Sequence, residues 1–415
     1  MKILILSHYF WPEPIPKPLE LAAALRDRGN TVEVLTGFPN YPSGELYPGF
    51  SLRPVRRDRV HQIPVIRTFM YPSHGTSLLG RMLNYASFMV SAIFGGMMAG
   101  SFDVMYVWHP PLSIGVAAAA IGVLRRRAFV YDVQDIWPES AIETGFLRPG
   151  RIVSWMARLE KFVYKRAAHI LVVTEGAKAN LVAKGVPQER ITVVPHWYDD
   201  TDLRAIGARE RETVRGREGW QNKFVIMFAG NMGLLQGLET VVDACRGLPP
   251  GGDVIVAMVG DGVDAERLKS RATEIGVIDR IRFVPRQPPG SMAEYFAAAD
   301  ALLVHLKASP LAPLIIPSKT VAYLAAGKPI VMAGVGASAD IVENAGAGIV
   351  LKPGDPAALC AAMMKIAQLS PDERVAMGER GRRYFEGNFT KQVTLPVYLE
   401  ALRQAARTGG GARES

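Results

Sequence analysis

The chain has 415 residues, of which 49% are hydrophobic and 21% charged, and its formal charge is +9. That length exceeds one ordinary core and predicts two domains. Two cysteines, Cys245 and Cys360, without paired spacing exclude a disulfide framework or a cysteine zinc site. The first 200 residues carry 22 Lys and Arg against 16 Asp and Glu, an excess suited to phosphate groups or anionic lipid. No zinc finger, RNP aromatic set or basic zipper accompanies it, so nucleic acid is not an expected partner.

The chain opens on a strand, Lys2–Leu6, too short for the core of a signal peptide. A helix over Leu19–Arg28, ended by Gly29, and a strand over Thr31–Leu35 complete a βαβ unit. This rhythm predicts an α/β protein with parallel, doubly wound sheets and ligands at the carboxyl ends of the strands. Further strands read as Pro64–Phe69, Val104–Trp108, Ala128–Asp132 and Ile170–Val173. Between the last two, Ile152, Trp155, Met156, Leu159, Phe162 and Val163 recur at helical spacing, a pattern read as core packing.

Met82–Gly100 runs 19 residues without a charge, near the ~20 a membrane helix needs. Asn84, Ser87, Ser91 and three glycines dilute it, and it interrupts an α/β pattern. Three readings stand: a helix covering the sheet, a helix dipping into one leaflet, or a span. Arg53, Arg56, Arg57, Arg59 and Arg81 nearby face anionic headgroups in one reading and form a solvated rim in the other.

A linker around Val194–Gln221 contains a charged, helix-like run, Arg204–Glu218. The rhythm then restarts with strand Phe224–Ala229, a GNMGLLQG loop, helix Leu238–Cys245, strand Val254–Val259, a GDG loop, helix Ala265–Ile275, strand Arg282–Val284 and helix Met292–Ala298. The expected domains are 1–200 and 201–390, with 391–415 as a helix returning to the first domain and a frayed tail, GGGARES.

The most informative stretch is Ala301–Met332: strand ALLVHL, a loop broken by Pro310, Pro313 and Pro317, and a helix from Ser318 that Gly327 ends. Lys319 falls in the first turn, where the helix dipole disfavours a cation unless an anion is also bound. Upstream, Gly230 and Gly233 would let backbone N–H groups approach a phosphate closely. Either feature alone also fits an ordinary βα turn.

In order, AGNMGLLQGLETVVDA, VGDG and PSKTVAYLAAGKPIV, with SHYFWPEPIP, YDVQDIWPES and VVPHWYDDTD in the first half, give a chain-long pattern. It resembles the retaining nucleotide-sugar glycosyltransferases of family 4, and within them the branch that builds O-antigen, colanic-acid and L-fucosamine-type units. The resemblance implies the GT-B fold, two facing Rossmann-like domains with a cleft between them. It also implies a UDP-sugar donor in the second domain and a polyprenyl-diphosphate-linked acceptor in the first, at the cytoplasmic face of the inner membrane. No metal cofactor is expected. Asp200–Asp202, the one DxD-like string, reads as a structural cap.

On this resemblance Gly230, Asn231, Gly233, Gln236, Gly260, Asp261, Ser318 and Lys319 hold the donor, with Lys319 as the diphosphate's cation. Asp135, Glu139 and His109 are the catalytic candidates near strand ends. His8, His74 and Arg81 are the expected acceptor or lipid contacts. Glu139 and Asp135 also read as a helix cap and an arginine partner. The family's usual glutamate pair is replaced by Leu314 and Ala322, and its loop Arg and Lys by Asn231 and Gln236, so contacts those residues make are not carried over. A UDP-sugar 2-epimerase-like isomerase and a catalytically silent nucleotide-sugar-binding subunit are the alternative readings.

Overall fold

The computed structural model describes residues 1–74, 78–143 and 150–410. They form two compact units, Met1–Val194 with Leu395–Ser415, and Pro195–Thr394. The 411–415 tail lies outside the described residues, as do Gly75–Ser77 of the YPSHGTSLLG motif.

The first unit holds eight strands: β1 (Lys2–Ser7), β2 (Thr31–Gly37), β3 (Val55–Val60), β4 (Ile63–Thr68), β5 (Val104–Trp108), β6 (Phe129–Val133), β7 (His169–Val172) and β8 (Ile191–Val193). Their order is β3-β4-β2-β1-β5-β6-β7-β8, and all are parallel except the β3–β4 pair. Five of the six residues of β1 and all five of β5 are buried, as expected of central strands covered on both faces. The helices are α1 (Lys17–Asp27), α2 (Leu78–Met98), α3 (Leu112–Arg125), α4 (Glu139–Glu143), α5 (Arg151–Arg166) and α6 (Glu175–Ala183).

The second unit contains α7 (Thr201–Ala205), α8 (Ala208–Glu218), β9 (Phe224–Ala229), α9 (Glu239–Ala244), β10 (Val254–Val259), α10 (Ala265–Glu274), β11 (Ile281–Val284), α11 (Met292–Ala298), β12 (Ala301–His305), α12 (Ser318–Ala326), β13 (Ile330–Ala333), α13 (Ala337–Ala345), β14 (Gly348–Leu351), α14 (Pro356–Gln368) and α15 (Pro371–Asn388). Helix α16 (Lys391–Gly410) closes the described chain. The six strands run parallel in the order β11-β10-β9-β12-β13-β14.

Helix α5 departs from what its sequence suggests, whereas α2 packs on β2 and β4, the sheet-covering reading among the three left open for it. In α5, Ile152 (61% exposed), Trp155 (60%) and Phe162 (42%) stand in solvent, and of the six apolar residues read as core only Val163 is fully buried. The correction has a physical cause: helical spacing marks an apolar face but not what covers it, and the buried side of α5 also holds Glu160 and Tyr164. In α2, a narrow stripe of Asn84, Phe88, Ala92 and Gly95 packs inward, while Leu79, Met82, Val90, Phe94 and Met97 are exposed. Among the described residues no helix is long and apolar enough to cross a membrane.

Candidate functional site

In the second unit the register places Ala229 of β9 opposite Val259 of β10, so the two glycine loops leave the sheet side by side. The Gly230 amide donates to Val259 O at 2.9 Å and the Gly260 amide to Val284 O at 3.0 Å. Both N–H groups are therefore committed to the sheet, and the amides open to a phosphate are those further along the loops. These glycines serve close approach instead. A Cβ on Gly260, at φ +145°, would meet Gly230 O at 2.0 Å, and one on Gly230, at φ +132°, would reach within 3.5 Å of Lys319 Nζ. Beyond them, the amides of Asn231 and Gly233 make no hydrogen bond among the described residues, and neither do those of Ser318 and Lys319 at the start of α12. The four unpaired donors sit at the carboxyl end of this sheet.

Lys319 is their centre. Its ammonium donates to Gln236 Oε1 at 2.6 Å and lies 3.9 Å from the centroid of the Phe228 ring. No carboxylate lies within 4 Å of it among the described residues, and burial alone pulls its pKa from 10.5 down to about 7. One helical turn on, the Tyr323 hydroxyl accepts from the Ala229 amide at 2.7 Å and donates to Ala229 O at 3.2 Å, pinning α12 to the end of β9. His305, at the end of β12, bonds the Gln236 carbonyl through Nδ1 at 2.6 Å, so Gln236 is held from its backbone while its side chain meets the lysine.

Lys319, Gln236, Tyr323, Gly230 and Asn231 line a cavity of about 820 Å³, together with Gly260, Asp261 and Ser318. Tyr198, from the VVPHWYDDTD string, lines it too, as do Arg286 and Gln287 from the loop after β11, which no motif marks. Ala322, at a position where glutamate was the family's usual residue, turns a methyl group to the same space. A cavity with one ammonium that no carboxylate meets, the free amides of Asn231, Ser318 and Lys319 and a polar rim is suited to a diphosphate carrying organic groups at both ends.

Residues 17–197 match the model of the Glycosyl transferase 4-like domain, and residues 210–384 that of the Glycosyl transferases group 1. The chain belongs to the glycosyltransferases with the GT-B fold. It is 24% identical over 421 residues to the putative colanic acid biosynthesis glycosyl transferase WcaI of Escherichia coli, covering 97% of this chain and all of that one. It is 27% identical to the probable glycosyltransferase WbjE of Pseudomonas aeruginosa, over 65% of this chain and 67% of that one. Among solved structures, Anabaena HepE in complex with UDP superposes with a TM-score of 0.73 at 20% identity, over 97% of this chain and 100% of that one. The lipopolysaccharide glycosyltransferase WaaG gives 0.64 at 18% identity, over 99% and 100%.

In this glycosyltransferase the first unit gathers its candidates at the carboxyl ends of β1, β2, β4, β5 and β6. Asp135, just past β6, accepts no hydrogen bond among the described residues, and burial raises its pKa. Glu139 is spoken for: Lys184 bridges it at 2.9 Å to the buried Glu160, also at 2.9 Å. That tie favours the structural reading of Glu139 over the catalytic one. His109 is 2% exposed, its pKa pulled down to about 3 by burial, so it is a neutral imidazole packed near Tyr131.

His8 is likewise enclosed. Its Nε2 pairs with Asn84 Oδ1 at 2.9 Å, and burial holds its pKa at about 3. Around it the rings of Tyr9 (4.7 Å), Phe88 (5.0 Å) and Tyr85 (5.4 Å) pack edge-on. His74 is partly exposed, 4.4 Å from the Tyr41 ring, and burial followed by the Arg81 charge lowers its pKa. Arg81 thus sits close to His74 and to Tyr85, and Tyr85 in turn senses Asp135. His74, Arg81, Tyr85 and Asp135 are thus neighbours in one polar-aromatic group, and His8 packs against its Tyr85 ring.

The residue that shapes this end was not singled out by the sequence. Glu13, 6% exposed, accepts from the amides of Phe10, Asn40 and Tyr41, each at 2.9 Å, tying the loop after β1 to the loop after β2. Arg67 reaches the same loops through Trp11 O at 2.7 Å and Gly37 O at 3.2 Å. The hint was a lone acid between two prolines in Trp11–Pro14. Asp200 is held by Arg204 and Arg382, which accounts for the DxD-like string as an ion-pair anchor. No group of three metal-ligating side chains occurs among the described residues.

Proposed function

We propose that this chain is a retaining glycosyltransferase that moves a sugar, N-acetylated or deoxy, from a UDP-sugar to a polyprenyl-diphosphate-linked acceptor during bacterial surface polysaccharide synthesis. The observation that carries the donor half is Lys319: a buried ammonium with no carboxylate within 4 Å among the described residues, beside unpaired backbone amides. UDP bound to HepE and the polysaccharide roles in the names of WcaI and WaaG agree with it. In the reaction the bond from the sugar's anomeric carbon to the diphosphate breaks and a bond to the acceptor hydroxyl oxygen forms on the same face. The hydroxyl proton passes to the departing phosphate oxygen. Lys319 and the free amides stabilise the charge that builds on the diphosphate, the task a divalent ion performs in other transferases. Asp135 orients the acceptor hydroxyl.

The acceptor's lipid brings the enzyme to the inner leaflet, where it attaches peripherally. Helix α3 packs between α2 and α5. The outer faces of the three present Leu79, Phe94, Val123, Leu124, Ile152 and Trp155, each at least 57% exposed. Arg126 of the turn after α3 and Arg158, Lys161, Lys165 and Arg166 of α5 flank them. An apolar face edged with cations matches an anionic bilayer surface.

The deciding assay incubates the protein with a panel of nucleotide sugars and a polyprenyl-diphosphate-linked monosaccharide, and measures nucleoside diphosphate release. Acceptor-dependent UDP release is expected. Conversion of the UDP-sugar without acceptor would establish the isomerase instead, and UDP-sugar binding without any turnover would establish the silent subunit.

A further inference from the structure

Helix α12 has a second end. About 13 Å from Ser318, at the ~1.5 Å rise of a helix, it stops at Gly327, and Lys328 follows. There a separate cavity of about 500 Å³ opens on the amino-terminal side of β13, lined by Arg204, Arg211, Lys328, Arg382 and a single carboxylate, Glu379. A recess of about 390 Å³ shares Arg211, Lys328 and Glu379 and adds Arg374 and a second carboxylate, Asp300.

The cations are only partly answered from within. Asp200 takes both Arg204 and Arg382, and Glu386 takes Arg382 at 2.8 Å. Asp300 takes both Arg211 and Arg215, at 3.1 Å each. Among the described residues Glu379 has one ion-pair partner, Arg383 at 3.8 Å on the surface. Lys328 has no carboxylate within 4 Å among the described residues, and one hydrogen bond, to Ala297 O at 3.2 Å. Arg211 Nε is buried and donates to nothing.

A purely structural account exists for part of this. Arg382 caps α12 through Ala325 O at 2.7 Å, Arg215 caps α11 through Ala298 O at 2.7 Å, and Lys328 does likewise through Ala297 O. That use occupies one N–H of Lys328 and leaves two. It leaves the Arg211 Nε hydrogen without an acceptor, with Glu212 Oε1 at 4.0 Å as its ion-pair neighbour, and it does not explain why cations from α7, α8, the turn after α12 and α15 converge on one hollow. Its other walls are apolar, including Phe296 and Ala325. Guanidinium forks and an ammonium around such a floor suit the oxygens of a phosphate whose organic part lies on the apolar side.

We propose that this cavity is a second, separate anion site of the second unit, which binds a small phosphorylated metabolite. It does not depend on the donor reading, since none of its charged groups lines the Lys319 cavity.

The test is calorimetric titration of inorganic pyrophosphate into the Lys319→Met protein, whose donor cavity has lost its ammonium and keeps only Arg286 as a cation. Saturable binding near one equivalent is expected, weakened at least tenfold by Arg211→Gln and, separately, by Lys328→Gln. UDP binding to Arg211→Gln in the Lys319 background should remain within twofold, which separates this site from the donor cavity. Absence of saturable pyrophosphate binding in Lys319→Met, or binding indifferent to a folded Arg211→Gln or Lys328→Gln, overturns the proposal. Arg211 is half-exposed on α8, so its substitution decides the matter if Lys328→Gln fails to fold.

Discussion

Lys319 gives its short hydrogen bond to Gln236, a neutral amide, and to no acid. A buried ammonium so placed is destabilised in the free protein and waits for an anion. The sign follows from the lowered pKa. Below about pH 7 the folded protein must carry a buried charge, so the cost to stability is fully present there; it fades as pH rises from about 7 towards 10.5. A nucleotide sugar's diphosphate is a diester with no ionisation near neutrality, and it prefers the charged lysine. Its affinity should therefore fall as pH rises above about 7, with a limiting slope near tenfold per unit, and binding should take up a proton. Calorimetry in buffers of different ionisation enthalpy measures that uptake. Lys319→Met should lower UDP affinity at least tenfold, about 1.4 kcal/mol, and flatten the pH dependence; unchanged affinity would remove Lys319 from the site.

Tyr323 ties α12 to β9 through both the amide and the carbonyl of Ala229. Tyr323→Phe keeps the buried ring and leaves two backbone groups without that partner. A loss of about 1–3 kcal/mol in denaturant unfolding is expected. Because the same hydroxyl sets the start of α12, the Michaelis constant for the donor should rise more than the turnover number falls. Gly260→Ala is the harsher companion: its Cβ would run into Gly230 O, and both stability and UDP binding should suffer.

For the first unit, Asp135→Asn preserves shape and removes the charge. If Asp135 orients the acceptor hydroxyl, turnover should drop about 10²-fold while UDP affinity, measured by titration, stays within twofold. Glu139→Gln gives the contrasting result, a loss of thermal stability through the Lys184 and Glu160 tie with turnover per folded molecule nearly intact. Equal loss of turnover in both variants would contradict the division of roles.

Much of the fold was legible because parallel strands buried on both faces read as apolar runs, and β1, β5, β9 and β10 emerged within a residue or so of their ends. Strand β3 did not, since VRRDRV is a polar edge strand whose charges look like a loop. Around the donor cavity Lys319 was visible from helix-start chemistry, whereas the parts played by Tyr323, one turn along the same helix, and by Phe228 and Arg286, which the sheet order brings in, were not. Gly260 was seen as a phosphate loop, yet its need for a missing side chain comes from the neighbouring Gly230 carbonyl. Glu13 was invisible because its three amide partners come from two separate loops.

Helix α5 shows the same limit from the other side, and it leads to the membrane test. Its periodicity was real, but Ile152, Trp155 and Phe162 face outward, where a soluble protein gains nothing from them. Each transfers apolar area into lipid when the helix lies in the interface, and the lysines and arginines beside them add attraction to anionic headgroups. Sedimentation with vesicles of phosphatidylethanolamine and phosphatidylglycerol should carry the protein down, more weakly with uncharged lipid and at high salt. Trp155→Ser with Phe94→Ser should cut the bound fraction several-fold without changing UDP affinity, because both side chains lie on the first unit and neither belongs to its packed core. If the double variant sediments like the original chain, the outer face of α2 and α5 is not what touches the bilayer, and the attachment must be sought elsewhere on the protein.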